Sequence, residues 1–102
     1  MDADAQRLAV DVLLGAYVSG IPVEPLTEKF PGLTGEDSYA IQAAQVDSWV
    51  GDGRRVVGHK VGLTSRVMQR QFGVDQPDYG HLLNTMFHLD GQPIAASGFL
   101  QP

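Results

Sequence analysis

The chain has 102 residues, 43% of them hydrophobic and 19% charged, with a formal net charge of −5. That is the composition of one small globular domain, not of a disordered tail, and the acidic balance argues against general nucleic-acid binding. There is no cysteine, which excludes disulfides, thiolate metal sites and a cysteine nucleophile.

In chain order, Met1-Asp2-Ala3-Asp4 lacks the basic-then-apolar pattern of a secretory leader. No stretch approaches the roughly 18 apolar residues of a membrane helix. A cytoplasmic protein that engages no membrane is the simplest expectation. Asp2 or Asp4 can cap a helix over about residues 4–19, with Leu8, Ala9, Val12, Leu13, Ala16 and Tyr17 on one apolar face and Gly20 as its stop. Ile21-Pro22-Val23-Glu24-Pro25 predicts an extended connector, and Phe30-Pro31-Gly32 a turn. Thr34 with Asp37 resembles a capping box, with Asp for the usual Glu. It opens a second helix over 35–50, with Tyr39, Ala43, Val46 and Val50 on one face. Gly51-Asp52-Gly53 ends it.

Residues 55–62 predict a strand in which Gly58 and Gly62 bracket Lys60; a strand glycine often marks a bulge or a close approach. Thr64 or Ser65 can cap a short helix ending near Phe72-Gly73. Residues 74–80 are expected to be a loop. Residues 82–89 and 92–100 are expected to be short strands joined at Asp90-Gly91. The fold class is α+β, with a helical region over 1–53 and a strand region over 54–102. The ending at Gly98-Phe99-Leu100 resembles a strand cut off on entering a core, so a fragment of a longer protein is expected.

The charge is uneven. Residues 1–52 hold nine acids and two bases, 53–74 hold five bases and no acid, and 75–102 hold three acids and no base. The cationic stretch could attract a small anion. The simpler alternative is that its arginines are solvated and pair with the acidic first half.

Two segments could carry chemistry. Gly58-His59-Lys60-Val61-Gly62-Leu63-Thr64-Ser65 is not a phosphate-binding loop, because its lysine precedes the glycine instead of following it. Lys60 has the apolar sequence neighbours Val57, Val61 and Leu63. Partly desolvated, it could orient an anion or move a proton; otherwise it is a lysine that snorkels from a strand end. Pro77-Asp78-Tyr79-Gly80-His81 offers three proton-handling groups, or else an Asp-capped turn with a surface histidine. His59, His81 and His88 lack metal-ligand spacing, so no metal ligand is assigned in this chain. A Ser65–His81–Asp78 triad lacks a nucleophile-elbow motif.

Taken in order, Tyr39-Ala40-Ile41-Gln42, residues 54–65 and residues 73–82 resemble the N-terminal part of the 2-keto-4-pentenoate hydratases, also called 2-hydroxypenta-2,4-dienoate hydratases. These belong to the fumarylacetoacetate hydrolase-like superfamily, as do the related 4-oxalocrotonate decarboxylases. The resemblance covers nearly the whole chain and is most specific over 54–82. It implies the N-terminal helices and first strands of a β-rich catalytic domain, here truncated. The implied activity is hydration of the small anionic 2-hydroxypenta-2,4-dienoate to 4-hydroxy-2-oxopentanoate in meta-cleavage catabolism of aromatic compounds, by a cytoplasmic homo-oligomer.

The resemblance also implies a divalent metal, Mg²⁺ or Mn²⁺, that chelates the substrate as a Lewis acid. The family's two metal-binding glutamates follow the segment matching Leu100-Gln101-Pro102 and a third acid lies further on, so all are absent here. By itself the 102-residue chain is expected to be inactive. Lys60 and Asp78 are the implied acid–base pair, and Tyr79 and His81 the substrate-positioning candidates. The decarboxylase branch tends to lack the aspartate matching Asp78, which favours the hydratase. The alternatives are 4-oxalocrotonate decarboxylase and a non-catalytic oligomerisation module.

Overall fold

A computed structural model describes residues 1–101. The chain divides into two compact units, one of residues 1–49 together with the segment from His88 onward, the other of residues 50–87. The architecture is α+β, with helices and a small two-stranded sheet.

The first unit is built on two helices, α1 (Ala3–Ser19) and α3 (Gly35–Gly51), linked through the one-turn helix α2 (Leu26–Lys29). Local chemistry sets the helix ends. Asp2 caps α1 by accepting from the Ala5 N–H at 2.7 Å, and Gly20 ends it at φ 71°, where a side chain would be strained. Thr34 and Asp37 cap α3 reciprocally: the Asp37 N–H donates to Thr34 Oγ1 at 3.1 Å, and the Thr34 N–H donates to Asp37 Oδ2 at 3.0 Å. The shorter aspartate thus completes the exchange usually made by glutamate, and the Thr34 hydroxyl also donates to it, at 2.9 Å.

The N-terminal ammonium of Met1 lies 3.4 Å from Asp37 Oδ1, and at the other end Tyr17 and Trp49 pack edge-to-face with ring centroids 5.0 Å apart. The two helices therefore run side by side in the same direction, and residues 20–34 carry the chain back along them. Ala9 and Val10 of α1 meet Ile41 of α3 in the core, and Leu13, Leu14, Leu26, Phe30, Leu33 and Ala44 pack around them.

The buried stripes match the expected faces only in part: Ala9, Leu13 and Val46 turn inward as expected. Ile41 is only 1% exposed, whereas Val50, Leu8 and Tyr17, assigned to the core, are 47%, 47% and 67% exposed. Both helices carry two adjacent apolar stripes, and periodicity does not say which one meets a neighbour. α2 was not foreseen, since four residues are too few for a periodic signal.

The second unit holds strand β1 (Val56–Gly62), helix α4 (Arg66–Gln71) and strand β2 (Asp78–Leu83). Ser65 caps α4 by accepting from the Met68 N–H at 3.2 Å, and Gly73 leaves it at φ 70°. The strands pair antiparallel, with Val56 opposite Leu83 and Gly62 opposite Asp78; the register shifts between Val56 and Gly58, which bulges Val57. At its base the Arg55 N–H donates to Asn84 Oδ1 at 2.8 Å, and the Asn84 N–H returns a bond to the Arg55 carbonyl at 2.9 Å.

The strands expected over 82–89 and 92–100 are a correction. The second strand begins at Asp78, inside the expected loop, and 3₁₀ turns occupy Asn84–Met86 and Ala96–Gly98. Pro77 stands just before the strand, where its missing N–H costs no ladder bond. Phe87, Leu89, Ile94 and Phe99 are 61%, 73%, 53% and 52% exposed, so their apolar pattern is only partly covered by the described residues. No helix among these residues is long and apolar enough to cross a membrane.

The Asp37 carboxyl is held below its ordinary range, first by the Thr34 N–H, then by the Thr34 hydroxyl, with the N-terminal ammonium adding and partial burial opposing. A depressed folded-state pKa gives stability that is complete above the unfolded carboxyl value and lost as pH falls through the folded one. Asp37→Asn is therefore expected to lower the melting temperature at neutral pH and to flatten its fall in acid. Circular-dichroism melts across that range check this, and wild-type and variant curves that stay parallel down to strong acid would count against it.

Candidate active site

In a strand, alternate side chains share a face. The register places Lys60 opposite Gly80, Gly62 opposite Asp78 and Gly58 opposite Leu82. One face of the ribbon therefore carries Lys60 and Asp78, with Gly58, Gly62, Gly80 and Leu82. Lys60 and Asp78 are diagonal neighbours, a spacing of about 7–8 Å between backbones that a long side chain can bridge. No ion pair joins them among the described residues. Around Lys60, the positions two before and two after it on its own strand, and the one across from it, are all glycine. The result is a trough of bare backbone from which one ammonium and one carboxylate project.

The Asp78 carboxylate lies over Gly62. A Cβ built at Gly62 would collide with Asp78 Oδ1 and sit 3.4 Å from its Cγ. The close approach anticipated from a strand glycine is therefore made by the partner aspartate. Gly58 and Gly80 differ: a Cβ at Gly58 would make ordinary contact with Leu82 Cδ1 at 3.7 Å, and one at Gly80 would meet nothing within 4 Å.

The other face carries His59, Val61, Tyr79, His81 and Leu83. The rings of His59 and His81, directly opposite one another, stand 4.9 Å apart, and Tyr79 lies 6.0 Å from His81. The structure thus brings Lys60 and Asp78 together but sets Tyr79 and His81 on the reverse side of the ribbon. Lys60 is exposed, against the expectation of partial desolvation. Val61, its apolar sequence neighbour, is 61% exposed and faces the other way, because adjacent residues of a strand do not share surroundings. No role at this site was assigned to Gly80 or His59; their placement follows from register, which no local spacing encodes.

The described residues bring no three His, Cys, Asp or Glu side chains into a group that could hold a metal ion. What the Lys60 face can do is offer hydrogen-bond donors to an anion from the ammonium, and donate or accept a proton beside it.

No family model matches the chain. Among curated proteins, the 2-keto-4-pentenoate hydratase of Paraburkholderia xenovorans (strain LB400) is 45% identical over 102 residues, covering 100% of this chain and 38% of its own length. The whole chain is thus similar to a portion of the 2-keto-4-pentenoate hydratases. The 2-keto-4-pentenoate hydratase 2 of Dechloromonas aromatica (strain RCB) is 40% identical over 98 residues. The TodF product hydratase of Pseudomonas putida (strain ATCC 700007 / DSM 6899 / JCM 31910 / BCRC 17059 / LMG 24140 / F1) is 42% identical over 98 residues. The chain thus spans well under half the length of these hydratases, 37–38%.

Among solved structures, the 4-oxalocrotonate decarboxylase from Pseudomonas putida G7, complexed with magnesium and adipate, superposes with a TM-score of 0.77 at 27% identity, over 83% of this chain and 32% of its own. The same enzyme complexed with calcium and acetate gives 0.77 and 27%.

Gly62→Ala tests the seat of the carboxylate. The side chain it strikes is a movable end, so the ribbon is expected to persist while Asp78 swings away from the trough. A carbon-13 spectrum of the carboxylates should show the Asp78 resonance shifted, with the amide pattern of the helices intact. An Asp78 resonance unchanged in the alanine variant would refute the placement.

Proposed function

We propose that this chain is the N-terminal portion of a metal-dependent hydratase that adds water to 2-hydroxypenta-2,4-dienoate, giving 4-hydroxy-2-oxopentanoate, with Lys60 and Asp78 as its proton-handling pair. The observation that carries the proposal is the glycine-floored face on which Lys60 and Asp78 are diagonal neighbours, in a chain 45% identical throughout to a 2-keto-4-pentenoate hydratase.

The reaction has two proton-handling stages. The dienol loses its 2-hydroxyl proton and gains one at the terminal carbon, which gives an α,β-unsaturated ketone. Water then adds: its oxygen bonds to C4, one of its protons is released, and C3 takes up a proton. Each stage requires a donor and an acceptor beside the carbon chain. The Lys60 ammonium can hold the substrate's anionic oxygen or supply a proton, and the Asp78 carboxylate can accept one. Donor and acceptor stand on one small face, so the proton-handling roles are assigned to the pair and not divided between its members. Tyr79 and His81, on the reverse face, would position substrate only from beyond the edge of the ribbon.

The decarboxylase structures contain calcium or magnesium. The described residues of this chain do not fit such an ion, since no ligand group assembles among them. In this proposal its ligands lie outside residues 1–101, and the proton steps assigned to Lys60 and Asp78 do not depend on where.

The structural likeness to 4-oxalocrotonate decarboxylase sustains a second reading, decarboxylation of an oxo-diacid. Product analysis separates the two, because only the decarboxylase releases carbon dioxide. In the full-length protein, Lys60→Ala and Asp78→Asn are each expected to reduce turnover by about 10²–10⁴, followed as loss of the conjugated diene's ultraviolet absorbance. Near-normal turnover in either variant would remove that residue from the pair.

A further inference from the structure

Among the described residues the chain buries one polar side chain, Gln69, at 8% exposure. Its Nε2 donates to the Leu63 carbonyl at 2.8 Å. The backbone carbonyl of the same residue accepts from the Val74 N–H at 2.9 Å, on the segment that leads into β2. Gln69 thus ties the exit of β1 to the approach of β2.

Leu63 is the one non-glycine residue with positive φ among those described, at 51°. A branched, bulky side chain visits that region only under constraint, and such conformations persist where the surroundings over-determine them. Leu63 directly follows Gly62, whose bare Cα lies beneath the Asp78 carboxylate. The path of the chain at Leu63 therefore sets where that glycine sits.

We infer that Gln69 is a positioning residue: its buried amide holds the left-handed bend at Leu63 and so fixes the Gly62 seat on which the Asp78 carboxylate rests. This rests on the proposed hydratase reading of the Lys60–Asp78 face. Gln69 touches no reacting atom and acts only through the strand end.

The test uses the full-length protein and 2-hydroxypenta-2,4-dienoate. Gln69→Met keeps the side chain's length and removes its donor. It is expected to lower kcat between about 10-fold and about 100-fold, as a small misplacement of a reacting group does, with KM within about twofold of wild type. Adding Leu63→Gly removes the need for the donor, because glycine adopts the bend freely. The double variant is expected to recover kcat to within about threefold.

Gln69→Glu serves if the methionine variant does not fold. A neutral carboxyl can donate to the Leu63 carbonyl and a carboxylate cannot, so the variant-to-wild-type ratio of kcat should rise as pH falls. Normal kcat in Gln69→Met beside an inactive Asp78→Asn overturns this inference alone. So does a loss that Leu63→Gly does not recover, or a Gln69→Glu ratio that stays flat with pH. Normal turnover in both Asp78→Asn and Lys60→Ala overturns the hydratase reading of the face, and this inference with it.

Discussion

The register between β1 and β2 is the constraint on which the candidate site depends. Side chains alternate along a strand, so a slip of one residue would send Asp78 to the face of His59 and Val61 and leave Lys60 alone. A two-stranded ribbon is marginal by itself in water, and this one is pinned at both ends. At its base Leu83 is fully buried at 0% exposure, and Asn84 exchanges bonds of 2.8 and 2.9 Å with the backbone of Arg55. The bulge at Val57 absorbs an extra residue before the glycine-rich stretch begins. At the far end Gln69 holds the chain as it leaves β1. The geometry of two charged groups is thus decided by backbone pairing and by side chains that touch neither of them.

Helix ends were legible in the sequence because they are local. Asp2, Gly20, the Thr34–Asp37 pair and Ser65 all act within a few residues of themselves. Helix faces were less so. In α3 the run Ala40-Ile41-Gln42-Ala43-Ala44-Gln45-Val46 supports more than one apolar stripe, and contact with Ala9 and Val10 selects the one through Ile41. That selection is tertiary and leaves no periodic trace. The same limit explains the misplaced strands. Residues 82–100 alternate well enough, but beyond Leu83 they lie against neither strand of the two-stranded sheet. Alternation without a strand to pair with does not make a ladder.

The chemistry-bearing residues were visible by type, and their grouping was not. Asp78, Tyr79 and His81 fall within four positions of sequence. In a loop, such neighbours can converge on one ligand. In a strand, the first points to one face and the other two to the opposite one. The difference between the expected loop and the observed β2 therefore changes which side chains can meet a single small molecule, although every residue stays the same. Lys60 shows the converse. It lies far from Asp78 in sequence and stands diagonal to it on the ribbon, because the intervening helix α4 and its turn return the chain antiparallel.

The three glycines of the trough are not equivalent, and the difference locates what each answers to. Strand glycines weaken a sheet, since they gain no packing and lose more backbone freedom on folding. At Gly62 the cause lies inside the chain: the Asp78 carboxylate occupies the space a methyl group would need. At Gly80 nothing in the chain comes within 4 Å of that space, although the position faces Lys60 across the ladder. Its bareness serves nothing in the ribbon's own packing. What it leaves is open space beside the lysine stem, which the proposed hydratase would use to admit its anionic substrate. Gly62 is thus explained by where the carboxylate rests, whereas at Gly80 only the proposed substrate gives the open space a use.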